Sequence, residues 1–172
     1  RELRTLTRAR ENLVNNSTQM KNRVHQALES SCIKISSVLS DIFGKSGRHI
    51  IDKLLEGKSI DEILMGIKSK RIQKKSQELR EAIKNSLDPA QILLIRNCIE
   101  LMEEIQKRIN RLDSEIMARI ERKKEDVKIA MSIPGIAFTS ASAILAEIGE
   151  YRDFANGEKL AAWCGLTPKV SQ

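Results

Sequence analysis

DPAQILLIRNCIELMEEIQKRINRLDSEIMARIER, residues 88–122, is the stretch whose reading decides the fold. Asp88 is a good helix N-cap and Pro89 suits the first helical position, where no N–H is needed. Beyond them Ile95, Cys98, Met102, Ile105, Ile109, Leu112 and Ile116 alternate three and four residues apart, a heptad seam held for three repeats. The spacing predicts one coiled-coil helix about 50 Å long, and these seven are the candidate oligomerisation residues. What packs on the seam is left open: the helix of residues 1–30, a second copy, or both.

Working outward, Leu3, Leu6, Leu13, Met20, Val24 and Ala27 carry a similar narrow seam through residues 1–30, with Arg10 and Ser17 filling its gaps. Ile33 to Phe43 is apolar enough to extend that helix or pack on it. Gly44-Lys45-Ser46-Gly47 reads as a turn, because two close glycines favour one. Arg48–Leu55 reads as a short amphipathic helix ended by Gly57. Ser59, with Asp61 and Glu62 behind it, caps another that runs to about Gly66. Lys68 to Lys84 is polar and helix-forming. Aromatics are only 3% of the 172 residues, with Gly 8 and Pro 3, too few for the turns and filling of a β-sandwich or barrel. The expected class is all-α: a long antiparallel coiled-coil arm plus a small helix-hairpin-helix domain.

The character changes after Lys124, where small apolar residues and most of the Pro and Gly begin. We divide the chain into 1–124, the helical linker and coiled coil, and 125–172. In the second part Ile133-Pro134-Gly135-Ile136 lies between a short helix (about 126–132) and a longer one (139 or 140 to 148), which is expected to bury Ile144, Leu145 and Ile148 and to stop at Gly149. Helix, Pro-Gly turn, helix is the layout of a helix-hairpin-helix. Proline ends the first helix, glycine takes the left-handed turn, and the amides opening the second helix are left to face an anion at the positive end of its dipole. Pro134, Gly135, Ile136, Ala137, Phe138, Thr139 and Ser140 are therefore candidate nucleic-acid contacts of the backbone-positioning kind. Ala137 stands where a second glycine is usual. A plain corner between two helices uses the same Pro-Gly pair, and the local pattern leaves both readings open.

Lys+Arg 30 against Asp+Glu 23 gives a net charge of +7, which attracts nucleic acid at long range. Lys70, Arg71, Lys74 and Lys75 form one candidate contact run, and Arg122, Lys123 and Lys124, next to the hairpin, form another. A solvated helix face is the plainer reading of each. Three widely spaced cysteines, Cys32, Cys98 and Cys164, exclude a disulfide framework or zinc ribbon, fit a reducing cytoplasm, and are expected as small buried side chains. His25 and His49 are too few for a metal cluster. Trp163 is expected in the core, and Glu147 with Glu150 lacks the third carboxylate of a metal site. No run of about 18 apolar residues is present, so no membrane span or membrane partner is expected.

Ile133-Pro134-Gly135-Ile136, Ser140-Ala141, Ala146-Glu147-Ile148-Gly149, Phe154, Lys159-Leu160-Ala161-Ala162 and Gly165-Leu166-Thr167-Pro168 occur in this order. Together they resemble the C-terminal domain of the bridge-RNA-guided insertion-sequence transposases, which pair an N-terminal DEDD (RuvC-like) domain with a C-terminal serine domain. Leu6-Thr7-Arg8, Leu13-Val14, Lys21-Asn22-Arg23 and Phe43-Gly44-Lys45-Ser46-Gly47-Arg48 resemble the family's preceding helical region. The resemblance implies an internal fragment of an enzyme that excises and inserts mobile DNA, with DNA and guide RNA as partners and a homo-oligomer formed through the coiled coil. It implies a divalent metal, Mg, held by four acidic residues expected before Arg1, so no cofactor is expected in this stretch. It also implies a serine nucleophile followed by Gly, expected just past Gln172; within the chain Ser171 is the nearest candidate. Two rival readings stand beside it: a non-catalytic helix-hairpin-helix module for nucleic acid, and a purely structural helical protein.

Overall fold

The computed structural model describes residues 1–166, and among these the fold is all-α with no strand. The chain divides into two compact units. A central unit comprises Leu13–Arg108, and a terminal unit comprises Arg1–Asn12 with the described residues from Ile109 on. The division drawn from sequence at 124/125 thus falls inside the terminal unit. Helix α1, Glu2–Ser30, and helix α6, Pro89–Ile120, each contribute to both.

In the central unit, α1 ends in a Schellman motif. Ile33 N–H donates to Leu28 C=O at 2.9 Å and Cys32 N–H to Glu29 C=O at 2.9 Å. Cys32 takes the left-handed position at φ 57, a role glycine usually fills, and it is exposed. Of the three cysteines only Cys98 is buried; Cys164 is exposed, so the expectation of three core cysteines is corrected. Burial pushes the Cys98 thiol up. Residues 33–43 do not prolong α1. They turn through a short 3-10 segment, Ile35–Ser37, and pack Ile33, Ile35 and Ile42 into the core, with Lys34 N–H on Ala82 C=O at 2.9 Å.

Helix α2, Lys45–Leu55, starts one turn earlier than its sequence suggests. Gly44 is its N-cap and Gly47 lies within it, buried, so the glycine pair makes no turn. The reason is packing: a Cβ on Gly47 would lie 2.5 Å from the Cα and carbonyl carbon of Ile42. Glycine is there to let two backbones meet. Helix α3, Ile60–Met65, carries a complete capping box: Ser59 accepts from Glu62 N–H, and Glu62 accepts from Ser59 N–H at 2.9 Å. Two short helices follow, α4 (Lys70–Gln73) and α5 (Ser76–Ala82). Residues 68–84 are therefore not one helix.

Asp88 and Gln91 reciprocate hydrogen bonds at 2.8 and 2.9 Å and start α6 as expected. In the central unit α6 runs antiparallel to α1, with Gln91 on the Ser30 hydroxyl at 3.3 Å, and Ile95 and Cys98 join Val24, Ala27 and Leu28 in one core. Arg48 of α2 reaches Glu103 of α6 at 2.8 Å. In the terminal unit the antiparallel sense recurs: Arg10 pairs with Asp113 and Glu2 with Arg119 at 3.6 Å. The polar gap at Arg10 is thus filled by an ion pair. Of the heptad residues, Ile95, Cys98, Ile105, Ile109 and Ile116 are buried and Met102 and Leu112 half-buried within a single copy of the chain. The seam is covered without a second chain.

Candidate nucleic-acid interface

In the terminal unit, a 3-10 turn at Glu121–Lys123 leads into α7, Lys124–Met131, whose first turn carries Glu125 and Asp126. Val127 and Ala130 face its core. Ser132 N–H still bonds to Lys128 C=O at 3.0 Å, but Pro134 has no N–H to continue the helix. Ile136 N–H donates to Ile133 C=O at 3.1 Å across Pro134 and Gly135, and Gly135 has φ 88. This is a type II turn, with proline and glycine in the positions that turn demands.

Helix α8, Phe138–Ile148, begins at Ala137, whose extended backbone (φ −88, ψ 171) any residue adopts; the missing second glycine costs no strain. No side chain caps this end. The first helical bond is Ala141 N–H to Ala137 C=O at 2.9 Å, so the amides of Phe138, Thr139 and Ser140 have no partner inside the helix. Pro134, Gly135, Ala137, Thr139 and Ser140 are exposed, while Ile136 and Phe138 are half-buried and anchor the turn on Val127, Ala141 and Leu145. The α8 face that is buried consists of Ala141, Ser142 and Ala146. Leu145 and Ile148 are half-buried, and Ile144 is 40% exposed, contrary to the expectation for all three. Small side chains let α8 approach α7 closely, which turns the larger Ile144 outward.

The other end of α8 is held by cations that sequence reasoning missed. Arg4 donates to the carbonyls of Ala146 (3.3 Å) and Glu147 (2.6 Å). Arg8 grips the Glu147 carboxylate through both oxygens at 2.8 and 2.9 Å, and Lys123 donates to Gly149 C=O. The Arg8 hydrogen bonds hold the Glu147 carboxyl below the usual range. Glu147 is thereby a structural acid, and no spacing rule joins residues 139 apart.

Of the basic residues singled out near the hairpin, Arg122 is exposed and has no ion pair among the described residues; Lys123 serves α8 and Lys124 pairs with Glu121 at 3.0 Å. In the central unit Lys70, Arg71 and Lys74 are exposed and have no side-chain partner among the described residues. Lys75 is turned inward to Val38 C=O at 3.0 Å and lies 3.8 Å from Glu78. Trp163, the last residue of α9 (Gly157–Trp163), is 54% exposed and rests against Phe154 at 5.6 Å, so it is not a core residue. Ser171 lies outside the described residues. Among the described residues no group of three or more His, Cys, Asp or Glu side chains is placed to hold a metal ion, and no helix is long and apolar enough to cross a membrane.

Residues 127–172 match a protein-family model described as the Transposase IS116/IS110/IS902 family. A protein of Pseudomonas aeruginosa described as a probable family 20 transposase is 34% identical over 76 residues, which are 44% of this chain and 22% of that protein. The chain thus spans about a fifth of the length of the relative it matches. No solved structure matches it.

Proposed function

We propose that the chain is the helical middle and the start of the C-terminal domain of an insertion-sequence DNA transposase, and that the turn between α7 and α8 docks on nucleic-acid phosphate. The observation that carries the reading is a coincidence of place. The family model matches residues 127–172, from inside α7 onward, and among the described residues of that stretch the Pro-Gly turn is followed by an α-helix that opens uncapped on exposed residues. A phosphate oxygen there would accept from the free amides at the positive end of α8, a contact that positions a nucleic acid without reading its sequence. Arg122 and the run Lys70, Arg71 and Lys74 supply further positive charge.

In this reading DNA and a guide RNA are the partners, and the parent works in the cytoplasm as an assembly of protomers. Because the heptad residues are buried or half-buried in one copy, contact between copies along α6 falls to the exposed Leu93, Leu94, Leu101 and Met117. Strand exchange belongs to the parent, with its DEDD acids, Mg and serine. The described residues carry no side-chain group that fits a metal ion.

The test uses the full chain labelled with 15N and a short DNA duplex. The amide signals of Thr139 and Ser140 should shift on titration, and affinity should fall steeply with added salt, by one unit of log–log slope for each phosphate neutralised, roughly. Absence of binding at low salt would leave the structural helical protein as the reading. Binding with an undisturbed turn would move the site elsewhere.

A further inference from the structure

We propose that a cavity of about 480 Å³ on the central unit, walled by Ser36–Asp41 on one side and by Ser69, Arg71, Ile72 and Lys75 on the other, seats one phosphate of a nucleic-acid backbone. The proposal rests on the reading of the basic run as a nucleic-acid contact and says where along that run a phosphate sits. Three hydroxyls line the cavity without a partner among the described residues: Ser36, Ser40 and Ser69. Ser69 is the informative one. It occupies the N-cap of α4, where a serine ordinarily accepts from the helix amides, yet its side chain makes no cap bond. Its hydroxyl is left free on the cavity wall.

Arg71 brings an exposed guanidinium with no carboxylate partner, the group whose fork matches two phosphate oxygens. Lys75 brings a second cation, held in place by Val38 C=O at 3.0 Å, and this bond also ties one wall of the cavity to the other. The lining holds one acid, Asp41, and its carboxylate is already turned onto Phe43 N–H at 2.8 Å. Lys75 is shared with Glu78, 3.8 Å away outside the lining, so Arg71 is the cation that leaves the cavity positive, and hydroxyl donors complete a shell that an anion accepts from. Lys70 and Lys74 belong to the same run but do not line it. That difference separates a seated phosphate from diffuse attraction, in which every cation of the run counts alike.

The test compares full-chain variants in binding to a short RNA hairpin, a short DNA duplex and inorganic phosphate. Arg71→Gln and the charge-neutral pair Ser40→Ala/Ser69→Ala should each weaken nucleic-acid binding about fivefold, a readily measured change in Kd, while Lys70→Gln and Lys74→Gln weaken it less. The substituted groups hold no other element, so the helical signal should be unchanged. If Lys70→Gln costs as much as Arg71→Gln and the serine pair costs nothing, the cavity seats no phosphate and the inference is overturned, with the basic run still a contact. If none of the four changes matters, the basic run itself is no contact. If inorganic phosphate shifts the Ser36, Ser40 and Ser69 signals and neither nucleic acid does, the site takes a free phosphate, and its assignment to a nucleic-acid backbone is wrong.

Discussion

Gly47→Ala is the perturbation that most sharply opposes local propensity to tertiary packing. Alanine is favoured over glycine within a helix by about 1 kcal/mol, so an open helical site would gain from the change. At position 47 the new methyl lies 2.5 Å from both the Cα and the carbonyl carbon of Ile42. These are backbone atoms, so no flexible side-chain end can swing aside. Ile42 is itself 2% exposed, and its segment is pinned by the Asp41 carboxylate on Phe43 N–H. Overpacking of this kind costs typically 1–3 kcal/mol, and backbone against backbone belongs at or above the upper end. The clash wins, for a net loss of about 2 kcal/mol, or roughly 4–8 °C in Tm for a chain of this size. Thermal unfolding followed by far-ultraviolet circular dichroism reads it. Gly157→Ala is the control, since nothing lies within 4 Å of a Cβ there, and it should leave Tm nearly unchanged. A Gly47→Ala protein as stable as wild type would refute the argument and return residues 44–47 to the status of an adaptable turn.

Ile109→Asp places a carboxylate at a site 4% exposed in one copy, and should lower stability by roughly 3 kcal/mol or more, so that helical signal is lost rather than an oligomer merely dissociated. Sizing chromatography beside circular dichroism distinguishes the two. Arg8→Glu and Glu147→Arg should each lower Tm by opening the bidentate pair at the end of α8, and the double exchange should recover most of the loss; failure of the double exchange would mean that the pair is incidental. Glu62 and Glu147 are both held below the ordinary carboxylate range, by the Ser59 amide and the Arg8 guanidinium respectively. Their contribution to stability is full above the unfolded value of about 4.3 and is lost as pH falls through the lower folded values. Glu62→Gln should therefore flatten the acid limb of Tm against pH.

Helix boundaries set by local chemistry were legible in the residues themselves. The Asp88-Pro89 start and the Ser59 capping box require only side chains within three positions of the amides they serve. The type II turn was equally legible, because proline fixes one backbone angle and glycine alone takes the next without strain. Where a glycine answered to a distant backbone instead, the local reading misled: Gly47 looks like a turn residue and is a helical one. Ile144, Trp163 and the exposed cysteines misled for a related reason. Hydrophobicity states a preference for burial but does not say which face a neighbour reaches. The arginine grip on α8 gave no local sign, since charged residues at the start of an exposed helix look alike whether they meet solvent or a carboxylate.

The residues alone determined that this protein is helical, that a heptad seam runs from Ile95 to Ile116, and that a Pro-Gly turn opens a helix near residue 138. Each follows from periodicity or from backbone freedom, which act within a few positions. Only the tertiary structure decided that the seam is covered within a single chain, that Lys75 and Lys123 are turned to carbonyls while Arg71 finds no partner among the described residues, and that Arg4 and Arg8 secure a helix more than 130 residues away. Those outcomes depend on which surfaces meet when the chain folds back on itself, and burial and ion pairing act through space, with no regard to separation along the chain.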